Sequence, residues 1–230
     1  MKNTVKIFLI VAVSVLLFSC NNFNKLVKST DMNAKYDAAM VYYEKGDYNH
    51  ALTLLDELVT VFKGTDKAEK IYYYYSYCNY NVGDYILAGF HFKNYTRIFP
   101  NTSHTEECTY MTAYCFYLQS PEYTLDQTDT RAAMREMQLF VNKYPASTRL
   151  DECNKLLDEM RSKLEKKAFE NAKLYYFMQD YKAAVVSFAN VMKDFPDSKY
   201  REEMMYLTLK CNYLLTVNSI DSKKEDRIKT

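Results

Sequence analysis

The clearest chemistry in this 230-residue chain belongs to Cys20. It closes the sequence Leu17-Phe18-Ser19-Cys20, after an apolar run from Ile7 to Phe18 that Lys2 and Lys6 precede. A charged start, a short apolar stretch and a small residue before the cut describe a signal peptide over 1–19 rather than a membrane span. A cysteine at that cut resembles a lipobox, with Phe18 bulkier than the motif usually carries. Its thiol would take a lipid and become the first residue of the mature chain, holding it on a membrane without a spanning helix. An ordinary signal peptide with a chance cysteine is the alternative. Asn21 stands where an aspartate would signal inner-membrane retention in enteric bacteria, so the outer membrane is expected.

Little else in the sequence could do chemistry. His50, His91 and His104 stand apart, with no zinc-protease, nucleophile-elbow or phosphate-loop motif near them. The pairs Glu106-Glu107 and Glu202-Glu203 read as solvated helix faces. Cys78, Cys108, Cys115, Cys153 and Cys211 form no C-x-x-C pair, and an odd number cannot all pair internally. They read as small buried apolar residues. No catalytic residue, metal site or cofactor is expected beyond the covalent lipid on Cys20. The formal charge of +1 falls to about −1 without the first nineteen residues, so nucleic acid is not an expected partner.

The elements that position the remaining side chains show themselves as a repeat. Three segments place Asp-Tyr before an alanine three residues on and a phenylalanine fourteen on: Tyr48, Ala51, Phe62; Tyr85, Ala88, Phe99; and Tyr181, Ala184, Phe195. A fourth, degenerate copy has Thr130, Ala133 and Tyr144. Proline follows the last aromatic at Pro100, Pro145 and Pro196. Each unit reads as helix, tight turn, helix. Gly46-Asp47 and Gly83-Asp84 end one helix and cap the next, and the alanine lets the pair approach closely. This resembles an all-α tetratricopeptide (TPR) superhelical solenoid of about four and a half repeats, lacking the usual first-helix tryptophan. The expected order is a lipidated tether over 20–32, then repeats over 33–64, 66–100, 101–145 and 149–196. A half repeat over 198–216 and a polar tail over 217–230 follow, so the array is expected either to be truncated there or to have that face covered by something else. The third repeat carries an insertion, "SPEYTLDQTDT" (120–130), expected as a loop.

That register divides the tyrosine run "IYYYYSYCNY" at 71–80. First-helix positions that face a TPR ligand are Tyr36, Met40 and Tyr43; Tyr73, Tyr77 and Tyr80; Tyr110, Tyr114 and Tyr117; and Phe169, Lys173 and Tyr176. Spacings of four and three put each trio on one helical face. Tyr72 and Tyr75 fall on the packing stripe, and Tyr74 on neither. Two readings of the trios stay open, core packing or the wall of a concave binding groove. Tyrosine, apolar in body and wet at its tip, favours the groove.

The lipobox, the repeats, "SPEYTLDQTDTRAAMREMQLFVNKYPAS" (120–147) and the junctions "FPNTSH" and "FPDSKY" together resemble the BamD family. These are TPR lipoproteins of the outer-membrane β-barrel assembly machine. The resemblance implies a non-enzymatic scaffold, lipid-anchored on the periplasmic side of the outer membrane. It would dock on a BamA-like barrel subunit through its C-terminal repeats and receive unfolded outer-membrane proteins on its N-terminal ones. Arg201 and Glu202, on the last first-helix, are the charges best placed for docking. The alternatives are a TPR lipoprotein that organises another envelope complex, such as cell-wall synthesis, or one that captures carbohydrate. The absence of tryptophan disfavours the last.

Overall fold

Asp47, Asp84 and Asp180 each serve two helices at once. In a computed structural model describing residues 23–219 and 224, every regular element among them is helical. The order is α1 (Met32–Glu44), α2 (Tyr48–Val61), α3 (Ala68–Asn81), α4 (Tyr85–Ile98), α5 (Thr105–Leu118), α6 (Thr128–Lys143), α7 (Leu150–Phe177), α8 (Tyr181–Asp194) and α9 (Arg201–Val217). The fold is all-α and TPR-like. Two compact units divide the chain, one through Gln119 and one from Ser120. In the first, α1 to α5 pack in sequence; in the second, α6 to α9 do so, with α9 also touching α7. The signal peptide and Cys20 lie outside the described residues, as does the tail from 220 apart from Lys224.

At each tight turn the amide of the aspartate donates back into the helix that ends: Asp47 to Tyr42 O, Asp84 to Asn79 O and Asp180 to Tyr175 O, at 2.9 to 3.0 Å. Its carboxylate then accepts from the backbone of the helix that begins, at His50, Leu87 and Ala183. The residue before it must adopt the left-handed conformation that closes such a helix end. Gly46 and Gly83 do so at φ +75° and +88°, and Gln179 does so at φ +62°. A side chain there costs about 1 kcal/mol relative to glycine. Gln179→Gly should therefore raise stability by about that amount, read as a higher midpoint in thermal or urea unfolding.

The alanines Ala51, Ala88, Ala133 and Ala184 are wholly buried. Four residues on, Leu55, Phe92, Met137 and Phe188 are wholly buried as well, a row the spacing did not single out. A Cβ added at Gly89 would meet the Cβ of Cys115 at 3.2 Å, so α4 and α5 approach closely there. The five described cysteines are buried and free. Burial pushes the thiols of Cys78 and Cys115 up to about 12 and that of Cys153 up to about 11.

Two expectations change. The segment expected as a tether is part of the fold from residue 23: a short helix over 23–27 packs Phe23, Leu26 and Val27 against the first hairpin's core. Three apolar side chains in five residues have more to gain by burial than by remaining a linker. In the insertion, residues 128–130 open α6, and side-chain hydrogen bonds tie the loop down. Buried Gln127 donates its amide to Glu122 O and Leu125 O (2.8 and 3.0 Å) and accepts from Thr130 Oγ1 (2.8 Å). Lys163 reaches Ser120 Oγ (2.7 Å) and Lys167 reaches Leu125 O (2.6 Å).

Candidate functional site

The first helices of the amino-terminal unit meet through rings. Tyr43 on α1 lies 4.6 Å from Tyr74 on α3, which lies 5.5 Å from Tyr73. Tyr73 continues to Tyr77 (4.8 Å), Tyr77 to Tyr80 (6.4 Å) and Tyr80 to Tyr114 on α5 (6.5 Å). Tyr114 stacks on Tyr110 and Tyr117 at 5.7 and 5.8 Å. Seven of the nine predicted groove residues of this unit thus join one contiguous aromatic chain. The other two, Tyr36 and Met40, pack half-buried against the core of the first hairpin, with the Lys67 ammonium 4.8 Å over the Tyr36 ring.

Three details of this face depart from the sequence reading, and in the carboxy-terminal unit Phe169, expected to face a ligand, is 2% exposed. Tyr74, placed on neither stripe, is the link between α1 and α3. Tyr110 is only 3% exposed, its ring laid flat against Tyr114, so it supports the face and does not line it. Glu107, read as solvated, accepts the phenols of Tyr73 (3.0 Å) and Tyr77 (2.6 Å) on its two carboxylate oxygens. Burial first, then the Glu107 hydrogen bond, holds both phenols far above their ordinary value, so they remain protonated donors. With the hydroxyls tied down, what these residues offer outward is the ring. Tyr72 and Tyr75 pack instead toward the second helices, around His91 at 5.8 and 4.7 Å, and Tyr75 donates to Asp56.

The same contact recurs wherever a first helix follows a Phe-containing junction. The residue just before the helix covers the first ring of the earlier trio: Lys67 over Tyr36, His104 at 4.4 Å from Tyr73, and Tyr200 stacked at 4.3 Å on Phe169. One turn earlier a glutamate ties the junction down. Glu69 accepts from Tyr95 (2.5 Å) and His104 (3.1 Å), and the Tyr95 hydrogen bond leads in holding its carboxyl below the ordinary value. Glu165 accepts from Ser198 (2.5 Å) and the Lys199 amide (3.1 Å). In the carboxy-terminal unit the tyrosine chemistry gives way to charge. Glu203, also expected to be solvated, takes the Lys173 ammonium at 2.7 Å, and the Lys210 ammonium lies 5.4 Å from the Tyr176 ring. Arg201 turns back to donate to Pro196 O, while Glu202 is exposed.

Among the described residues no group of three His, Cys, Asp or Glu could hold a metal ion, and no helix is long and apolar enough to cross a membrane. His50 is engaged by Asp47 at the first turn, and His91 and His104 by the rings around them.

Stacked helix hairpins with an aromatic face define a helical-repeat protein. The chain belongs to the YfiO family of outer membrane lipoproteins, whose model matches residues 28–227. This agrees with the resemblance carried by the repeat junctions. It is similar to the outer membrane protein assembly factor BamD of Pasteurella multocida (strain Pm70), at 20% identity over 95% of this chain and 88% of that relative.

Proposed function

We propose that this protein is a non-enzymatic scaffold of outer-membrane protein assembly. Lipid on Cys20 holds it at the periplasmic face of the outer membrane, where it receives unfolded β-barrel precursors and docks on a BamA-like barrel subunit. The continuous ring chain from Tyr43 to Tyr117 carries this reading. An extended, aromatic-rich precursor strand presents alternating side chains that rigid, partly exposed tyrosines can stack against at low entropic cost.

Docking is assigned to the outward stripe of α9. Met205, Tyr206, Leu209, Tyr213 and Val217 are each more than half exposed there. Their counterparts ninety-six residues earlier include Tyr110 and Ala113, which are 3% and 0% exposed. Side chains of the buried type standing uncovered mark a surface made to be covered. Arg201 and Glu202 lie at its start.

Site-specific photocrosslinking in cells tests both assignments. A benzophenone amino acid at Tyr80 should capture unfolded outer-membrane proteins, and one at Leu209 the barrel subunit. Capture of neither, with the protein folded and membrane-bound, would overturn the assignment.

A further inference from the structure

The described chain begins at one edge of the amino-terminal unit. The Phe23 ring lies 4.1 Å from His50 and 5.6 Å from Tyr42, beside the Gly46-Asp47 turn. Cys20 is three residues back, and three residues of chain reach at most about 11 Å. If Cys20 carries the lipid, as proposed above, that edge stands against the bilayer.

Helix α4 starts in the same register as α2, thirty-seven residues on. Ile86, Leu87 and Phe90 therefore hold in α4 the places of Asn49, His50 and Thr53 in α2. Polar positions have become apolar, and they are uncovered: Ile86 is 70% exposed, Phe90 59% and Leu87 45%. Val82, just before the turn, extends the patch. Farther along the helix the exposed positions are Lys93, Arg97 and Ile98, two cations and a single apolar side chain. Apolar side chains clustered at the anchored end, with cations beyond them, match the polarity of a bilayer interface, where apolar groups sink about 5–10 Å.

We propose that Val82, Ile86, Leu87 and Phe90 form a lipid-contacting patch. It sets the amino-terminal unit at a fixed stance on the membrane, so that the unit does not swing on its anchor.

The chain contains no tryptophan, so an introduced one is its sole indole. The mature chain from Cys20 can be coupled through that thiol to a maleimide phospholipid in phosphatidylcholine vesicles, because Cys78, Cys108, Cys115, Cys153 and Cys211 are 0% exposed. Coupling supplies the anchor whether or not the cell adds one; natural lipid on Cys20 is read separately by mass spectrometry. Phe90→Trp and Ile86→Trp should each give blue-shifted emission and lose iodide quenching on coupling. Ile98→Trp, about 12 Å from Phe90 along the helix, should keep the emission of the uncoupled chain. Phe90→Trp and Ile86→Trp as quenchable on vesicles as in solution would overturn the proposal. So would an equal shift at all three positions, the mark of indiscriminate adsorption.

Discussion

Phe92→Ala should lower the unfolding free energy by about 3–5 kcal/mol, the usual cost of emptying a fully enclosed phenylalanine site. Phe92 is 0% exposed and meets the Tyr77 ring edge-on at 4.9 Å. The loss is a large share of the roughly 5–15 kcal/mol that holds a typical domain together. The functional consequence is as direct, because Tyr77 stands on Phe92. With the support gone, Tyr77 can sink into the vacated space, and the face loses its central ring. Urea unfolding followed by circular dichroism measures the first effect, and amide exchange locates it along the chain. A loss below about 1 kcal/mol would mean that α3 and α4 close the gap, against the dense packing inferred at this position.

The second large effect is on client affinity. Tyr73→Ala with Tyr77→Ala should weaken binding of a peptide from the terminal strand of an outer-membrane β-barrel by about 2–3 kcal/mol, roughly 30- to 150-fold. Tyr73→Phe with Tyr77→Phe should keep most of the affinity, because Glu107 already occupies both hydroxyls and the rings remain. Fluorescence anisotropy with a labelled peptide gives the constants, and circular dichroism confirms the helices. Unchanged affinity in the alanine pair would remove the tyrosine face from client binding. An equal loss in the phenylalanine pair would move the recognition from the rings to the hydroxyl–carboxylate cluster.

The hairpins were legible because their signals are local. Asp-Tyr, the alanine three residues on and the closing aromatic all lie within one helix and its turn, and the spacing of four and three aligns a tyrosine trio from a single segment. What escaped depends on residues far apart in the chain. Glu107 looks like a surface acid until α5 is laid beside α3, thirty residues earlier. Tyr74 gains its role from Tyr43, on another helix. The buried row of Leu55, Phe92, Met137 and Phe188 has no common chemistry to mark it, only a common volume to fill. Gln179 escaped because its conformation is dictated by the helix ends around it and not by its own preference. Tyr110 shares a helical face with Tyr114 and Tyr117, but periodicity alone does not tell an exposed ring from one laid under its neighbour.

The shared aspartates have a consequence for how such a chain can vary over evolutionary time. Where Asp47, Asp84 and Asp180 close one helix and open the next, no residue is left over as a spacer. A single inserted or deleted residue there would rotate every later side chain of the hairpin by about 100° around its axis. The residue before the aspartate can vary, as Gln179 does at a cost of about 1 kcal/mol, but the length of the turn cannot. The loop before α6 shares no residue between two helices; it is held by contacts of Ser120 and Leu125 with two lysines of α7 and of Gln127 with Glu122 O. Length differences between relatives, and epitope tags in the laboratory, belong there.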